Sequence, residues 1–222
     1  MTCLMLGIDT ATPDTTVGIV RADLAEGEVE VLAERRHRDA RRHGEVLPGL
    51  ITEVLHASGH AASDLEAVAV GVGPGAYTGL RVGIATAQAL SLVLAIPVTG
   101  VVTLDAIALA SERLEPFAVV TDARRREVFM ARYHDCRTPD GEATVGSPDL
   151  VASIVGDLPV LAPPETPPLA GVHLVPCAGP TGAVVCGVAV GRLRDGWPTA
   201  PLEPMYLRRP DVAAPAGPKS VL

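Results

Sequence analysis

The sequence predicts an α/β protein built from two related halves, and three observations carry that prediction. Apolar strands and helical periods follow one another in the order β-β-β-α-β-α-β through the first half. A glycine–proline turn, Gly71-Val72-Gly73-Pro74-Gly75-Ala76-Tyr77-Thr78-Gly79-Leu80-Arg81-Val82-Gly83, joins an apolar strand to an alanine-rich helix. A strand that ends in aspartate, turns and returns occurs twice, at Leu4-Met5-Leu6-Gly7-Ile8-Asp9 and at Phe117-Ala118-Val119-Val120-Thr121-Asp122.

The elements follow in order. Residues 4–8 are an apolar strand ending at Asp9, and residues 10–14 are a turn in which Pro13 opposes strand continuation. Residues 15–20 and 29–35 complete a three-stranded meander. Val46, Leu47, Leu50, Ile51, Val54 and Leu55 fall at helical spacing. That helix tolerates Pro48 only in its first turn and stops at Gly59. A strand over residues 67–72, the glycine turn, a helix over 78–95 and a strand over 97–101 finish the half. The second half restarts with strands at 117–121 and 127–133 around the turn Ala123-Arg124-Arg125-Arg126. Residues 158–180 are proline-rich and read as extended. Residues 181–193 can form a helix, and the tail after Pro204 is rich in Pro, Ala and Gly.

Composition bounds the function. The chain of 222 residues suits one large domain or two small ones. With 48% hydrophobic residues and a mean hydropathy of +0.31, it is expected to fold around a core. The net charge of −8 argues against this chain alone gripping a nucleic-acid backbone. Cys3, Cys136, Cys177 and Cys186 are scattered and read as reduced thiols of a cytoplasmic protein. No basic region precedes the first apolar residues, so no signal peptide is expected. Residues 82–104 carry no charge and are long enough to span a bilayer, but Pro97 and Gly100 interrupt them. A buried helix followed by a strand, with no membrane, is the expectation.

Each candidate chemical site meets an objection. Gly71-x-Gly73-x-x-Ala76 fits the dinucleotide fingerprint in form, yet no acidic residue follows at the ribose position. A phosphate loop fails for want of Gly-Lys-Ser/Thr. Asp9 and Thr10 occupy the place of a metal–phosphate carboxylate and its loop, but the loop has no glycine and reads as vestigial. His56 and His60 have a metal-ligand spacing without a third ligand. His43, at the start of the first helix, is expected to cap it or to face a partner. Arg124, Arg125 and Arg126 form a solvated turn or contact an RNA phosphate or an acidic partner. Gly79, Gly83 and Ala87, with Leu80 and Ile84 alongside, make a small-residue stripe that admits another helix.

Four motifs then resemble a known family. Ile8-Asp9-Thr10-Ala11-Thr12, the segment from Gly73 to Gly83, Asp122-Ala123-Arg124 with Glu127-Val128-Phe129, and Pro204-Met205-Tyr206-Leu207-Arg208 look like TsaB (YeaZ). They occur in the family's order over nearly the whole chain, except at residues 158–180. The resemblance implies an actin-like (ASKHA) fold of two ribonuclease-H-like lobes, with mixed sheets flanked by helices. The lobes are expected at residues 1–102 and 103–203, with the tail at about 204–222 packing back on the first. It also implies a non-catalytic scaffold subunit for tRNA threonylcarbamoyladenosine synthesis. Such a subunit binds and activates the transferase TsaD, works with the ATPase TsaE, meets tRNA through the complex and pairs with itself when alone.

The resemblance places the two metal histidines of TsaD at Thr103 and Ile107, neither of which can replace an imidazole. No catalytic residue, intrinsic cofactor or metal is therefore expected, and any nucleotide would sit at the interface with TsaD and TsaE. The expected partner face comprises His43, Leu47, Leu50, Gly79, Leu80, Gly83, Ile84 and Ala87. The alternatives are a free-standing actin-like small-molecule kinase or ATPase, and direct tRNA binding through the arginine turn.

Overall fold

The computed structural model describes residues 1–208; the part of the expected tail from 209 to 222 lies outside the described residues. The meander is β1 (Thr2–Asp9), β2 (Asp14–Asp23) and β3 (Glu28–Arg38), paired antiparallel. Helix α1 (His43–Ser58) leads to β4 (Ala67–Gly73), α2 (Tyr77–Leu94) and β5 (Val98–Val102). These strands form one sheet in the order β3-β2-β1-β4-β5, with β4 and β5 parallel to β1. The predicted element order holds. Strand β3, at the sheet edge, runs farther than its apolar core, because alternate residues of an edge strand can face water.

Helix α3 (Thr103–Ala110) is an element the sequence did not announce. Thr103, Leu104, Asp105, Ala106, Ile107 and Ala108 are all buried. A helix covered on every side leaves no amphipathic period to read. The second sheet then runs β6 (Phe117–Arg124), β7 (Glu127–Asp135), β8 (Thr138–Pro139), β9 (Thr144–Gly146), β10 (Val160–Ala162) and β11 (Leu174–Pro176), with the short α4 (Val151–Val155) between β9 and β10. Its order is β11-β10-β6-β7-β8, and β9 also pairs with β7. Strands β10 and β11 occupy the proline-rich stretch as short extended pieces.

Period-two alternation divides the core of the first sheet. Leu4, Leu6, Ile8, Val17 and Ile19 face α1 and α2 and pack on Leu47, Leu50, Val54, Ile84 and Ala87. Cys3, Met5, Val20 and Ala22 face the other way, onto α5 (Gly182–Asp195) through Val185, Cys186 and Ala189. Thr181 accepts the Val184 N–H and starts that helix, as a threonine cap should. Helix α5 lies within the expected 103–203 lobe, yet it covers β1, β2 and β3 of the first sheet. The second sheet is likewise covered on both faces, by α3 and by α4.

A C-terminal strap then crosses both sheets. The Ala200 N–H donates to Gly100 O at 3.1 Å and the Met205 N–H to Val72 O at 2.8 Å. Arg208 pairs with Glu127 at 3.1 Å and donates to Ala123 O at 3.3 Å.

Candidate functional site

The turn between β1 and β2 explains most of the glycine-rich turn. The Asp9 carboxylate accepts the Ala11 N–H at 2.9 Å and the Thr103 hydroxyl at 2.8 Å. A Cβ on Gly71 would collide with the Asp9 carboxylate oxygen. Thr10 is fully buried, and its hydroxyl donates to Gly79 O at 2.7 Å. Side chains at Gly79 or Gly83 would strike Thr10. These glycines therefore admit this chain's own turn, and the sheet-covering face of α2 carries them.

That packing corrects the expected partner face. Leu47, Leu50, Leu80, Ile84 and Ala87 are buried in the first core. Gly79 and Gly83 lie on the same inward side of α2. His43 neither caps α1 nor faces outward: it is 4% exposed, and Nδ1 meets the Thr15 hydroxyl at 2.7 Å. Burial lowers its pKa against the opposing pull of Asp39 and Asp14. The expected stripe lies on the sheet-covering side of α2; the helix is nearly uncharged all round, and period alone does not tell its two faces apart. Its outward residues are Ala85, Gln88, Ala89, Leu92 and Val93, the last two 84% and 80% exposed.

Thr103 and Ile107, each 1% exposed, belong to the core; Thr103 holds Asp9. The His60 ring bonds Ser58 O at 2.8 Å, while His56 is exposed in the last turn of α1. No group of three His, Cys, Asp or Glu residues able to hold a metal occurs among the described residues. Cys3, Cys136, Cys177 and Cys186 are all free.

One cleft opens between the two aspartate turns. It has a volume of about 340 Å³ and is walled by Ala11, Thr12 and Pro13 on one side and by Asp122, Ala123, Arg124 and Arg125 on the other. Gly75, Ala76 and Tyr77 at the start of α2, and Tyr206, Leu207 and Arg208 of the strap, complete it. Tyr77 and Tyr206 stack at 4.8 Å, and the Arg81 guanidinium lies 4.1 Å from the Tyr77 ring centre. Arg81 also donates to the Tyr206 hydroxyl at 2.9 Å. Arg124, Arg125 and Arg126 all take left-handed φ values, of 63°, 51° and 65°. L-residues adopt that region at a cost, and strain of this kind gathers at functional sites.

The fit to a metal–nucleotide clamp is poor. Asp9 lies fully buried behind the wall residues, with both oxygens engaged. Desolvation raises its pKa to about 6, against the lowering effect of its hydrogen bonds. A carboxylate so held is not offered to a cation in the cleft. The cleft's described lining holds no serine, cysteine or histidine. The run Arg35-Arg36-His37-Arg38-Asp39-Ala40-Arg41-Arg42 matches no motif, although Ala40 lines this cleft. The signal that points to it is charge density: five arginines in eight residues of an acidic chain.

Residues 30–159 match the family model described as "TsaD: tRNA N6-adenosine threonylcarbamoyltransferase". A Pseudomonas aeruginosa crystal structure described as having similarity to peptidase YEAZ superposes with a TM-score of 0.72 at 26% identity. It covers 93% of this chain and all of that one. The YeaZ structure from the same organism gives 0.70 at 26% identity over 87% and 93%. The tRNA threonylcarbamoyladenosine biosynthesis protein TsaB of Escherichia coli is 36% identical over 58% of this chain and 54% of its own length.

The chain belongs to the TsaB (YeaZ) family. An uncharacterized Mycobacterium tuberculosis protein is 44% identical over 93% of this chain and 92% of its own. The fold is that of the solved YeaZ structures: two mixed sheets, each flanked by helices, with a cleft at the facing turns. No helix among the described residues is long and apolar enough to cross a membrane.

Proposed function

We propose that this chain is a non-catalytic subunit for tRNA threonylcarbamoyladenosine synthesis, which binds and activates the transferase TsaD. The observation that carries the reading is the fate of Thr103 and Ile107. The residues that the resemblance sets at the metal-histidine positions of TsaD are here core residues, each 1% exposed, and one is tied to Asp9. TsaE, a second copy of the chain and a nucleotide at the shared interface belong to the same proposal, as does a cytoplasmic setting.

The outward face of α2 supports a protein partner. Ala85, Ala89, Leu92 and Val93 are exposed, and no charged residue follows Arg81 in the helix. An apolar face of this kind gains stability when covered, at about 25 cal/mol per Å² of apolar surface. The contact expected of His43, Leu47, Leu50, Gly79, Leu80, Gly83, Ile84 and Ala87 passes in this proposal to the residues on the opposite sides of α1 and α2.

The test is capture of TsaD by the double variant Leu92→Asp, Val93→Asp. Both side chains are exposed, so melting should stay within about 2 °C of the parent. Capture of TsaD and threonylcarbamoyladenosine formation by the reconstituted mixture should be lost. A variant that still captures TsaD at parental yield would remove this face from the proposal. A parent chain that neither captures TsaD nor supports the modification would remove the function.

A further inference from the structure

Eight of the eighteen lysines and arginines in this acidic chain fall in two short runs, at residues 35–42 and 124–126. The fold brings one residue of the first run and two of the second to one cleft. Ala40 from the first and Arg124 and Arg125 from the second line the same cleft, and Arg208 joins them from the strap. The aromatic residues are as unevenly placed. The chain has six, and Tyr77, Phe129 and Tyr206 all line that cleft. Several of these arginines already have carboxylate partners, so a ligand phosphate would join or exchange with existing pairs.

We propose that the cleft binds a single-stranded segment of RNA. One unstacked base lies against the Tyr77–Tyr206 pair, and the phosphates on either side run along the arginine rim. Aromatic faces beside a cationic groove are how proteins hold unpaired nucleotides. Tyr77 and Tyr206, 45% and 36% exposed, both present surface to the cavity.

Size decides between an RNA segment and a free nucleotide. A cavity of about 340 Å³ takes one nucleotide. Arg41 and Arg126, next in sequence to lining residues, lie outside its lining, where a phosphate beyond the first nucleotide would reach them. The carboxylates nearby do not close the site. Arg124 pairs with Asp122 at 3.4 Å and Arg38 with Glu165 at 3.2 Å, and both arginines are more than half exposed. Arg36 pairs with Asp14 and Arg208 with Glu127. The guanidinium ends of Arg124 and Arg38 remain more than half exposed and can take a phosphate beside their carboxylates, whereas Arg36 is held by the buried Asp14.

That the RNA is a tRNA rests on the proposed function; that the cleft takes RNA does not. The test uses the isolated chain and a fluorescent unmodified tRNA, with anisotropy read between about 50 and 200 mM salt. Affinity should fall steeply with salt. The triple variant Arg124→Ala, Arg125→Ala, Arg126→Ala should bind about tenfold or more weakly with a shallower salt slope. Tyr206→Ala should weaken binding about tenfold with the slope unchanged. Melting curves check that each variant folds.

Absence of RNA binding by the parent, or affinity that none of these changes alters, overturns the proposal. So does binding no tighter to tRNA than to adenosine monophosphate, which would make the cleft a small-molecule site. If the arginine variant instead loses TsaD or TsaE while the parent ignores RNA, the rim is a protein contact and the proposal also fails. Weakened RNA binding with TsaD capture intact supports the inference. Intact RNA binding without TsaD capture by the parent overturns the subunit reading alone.

Discussion

The turn after β1 and the turn after β6 begin alike. Strand β1 ends at Asp9 and β6 carries Asp122 two residues before its end; the Oδ1 of each accepts the N–H two residues on, Ala11 at 2.9 Å in one and Arg124 at 2.8 Å in the other. The two turns face each other across one cleft. From there they diverge. Asp9 is fully buried and its second oxygen is held by Thr103, while Thr10 sinks between Gly79 and Gly83. Asp122 is half-buried, and Arg124, Arg125 and Arg126 stand exposed in left-handed conformations. The same local motif becomes a core element where glycines stand behind it. Where the turn keeps its long cationic side chains in water, it remains a surface.

The largest effect should come from filling the space behind the first turn. Gly71→Val places a branched side chain where Asp9 lies. Overpacking a core against backbone-anchored neighbours costs about 3 kcal/mol or more. For a chain of this size that lowers the melting temperature by roughly 10 °C. A change such as Asp122→Asn at the second turn should shift stability by less than about 0.5 kcal/mol. A Gly71→Val protein that melts with the parent would break the contrast between the turns.

Titration gives the next effect. The pKa of Asp9 is raised to about 6 from 3.8, chiefly by desolvation. An acid whose folded pKa exceeds its unfolded one favours folding only while protonated. The ionisation penalty is absent below pH 4, grows between pH 4 and 6, and is complete above pH 6. Asp9→Asn keeps the neutral shape, so it should stabilise the protein by up to ~3 kcal/mol at pH 8 and by almost nothing near pH 4. Denaturant melts of both proteins across this range check the sign. Equal gains at both ends would mean that the carboxylate carries no such penalty.

The sequence made the element order legible because strands of the first sheet and helices α1 and α2 carry clear periods. The paired aspartate turns were legible too, as was the closeness of backbone packing at the glycine-rich turn. What packed there was not legible. Gly79 and Gly83 announce a neighbour without saying whether it is another helix or Thr10, since both are satisfied by the same missing Cβ. Helix α3 escaped because all its faces are covered. The cleft escaped because its parts lie far apart in the chain: Ala40, Tyr77, Arg124 and Tyr206 meet only through the fold. Charge clustering in residues 35–42 was visible in the letters, but net charge averages such a run away.

The smallest effect is also the sharpest contrast, because one substitution should act with opposite sign at the two turns. Arg126 has φ 65°, whereas Ala11 has no positive φ and is 5% exposed. Holding a side chain in the left-handed region costs about 1–2 kcal/mol. Glycine removes that cost but loses about 0.5–1 kcal/mol to the freedom of the unfolded chain. Arg126→Gly should therefore gain about 0.5–1 kcal/mol and raise the melting temperature by roughly 2 °C. Ala11→Gly relieves nothing, so only the entropy cost and the loss of a buried methyl remain. It should lower stability by about 1 kcal/mol or more. A second turn that is strained for ligand contact also predicts that the stabilised Arg126→Gly protein binds RNA less well, since the rim loses a cation. Stabilisation at Ala11 or destabilisation at Arg126 would mean that the left-handed run stores no strain and that the two turns differ only in burial.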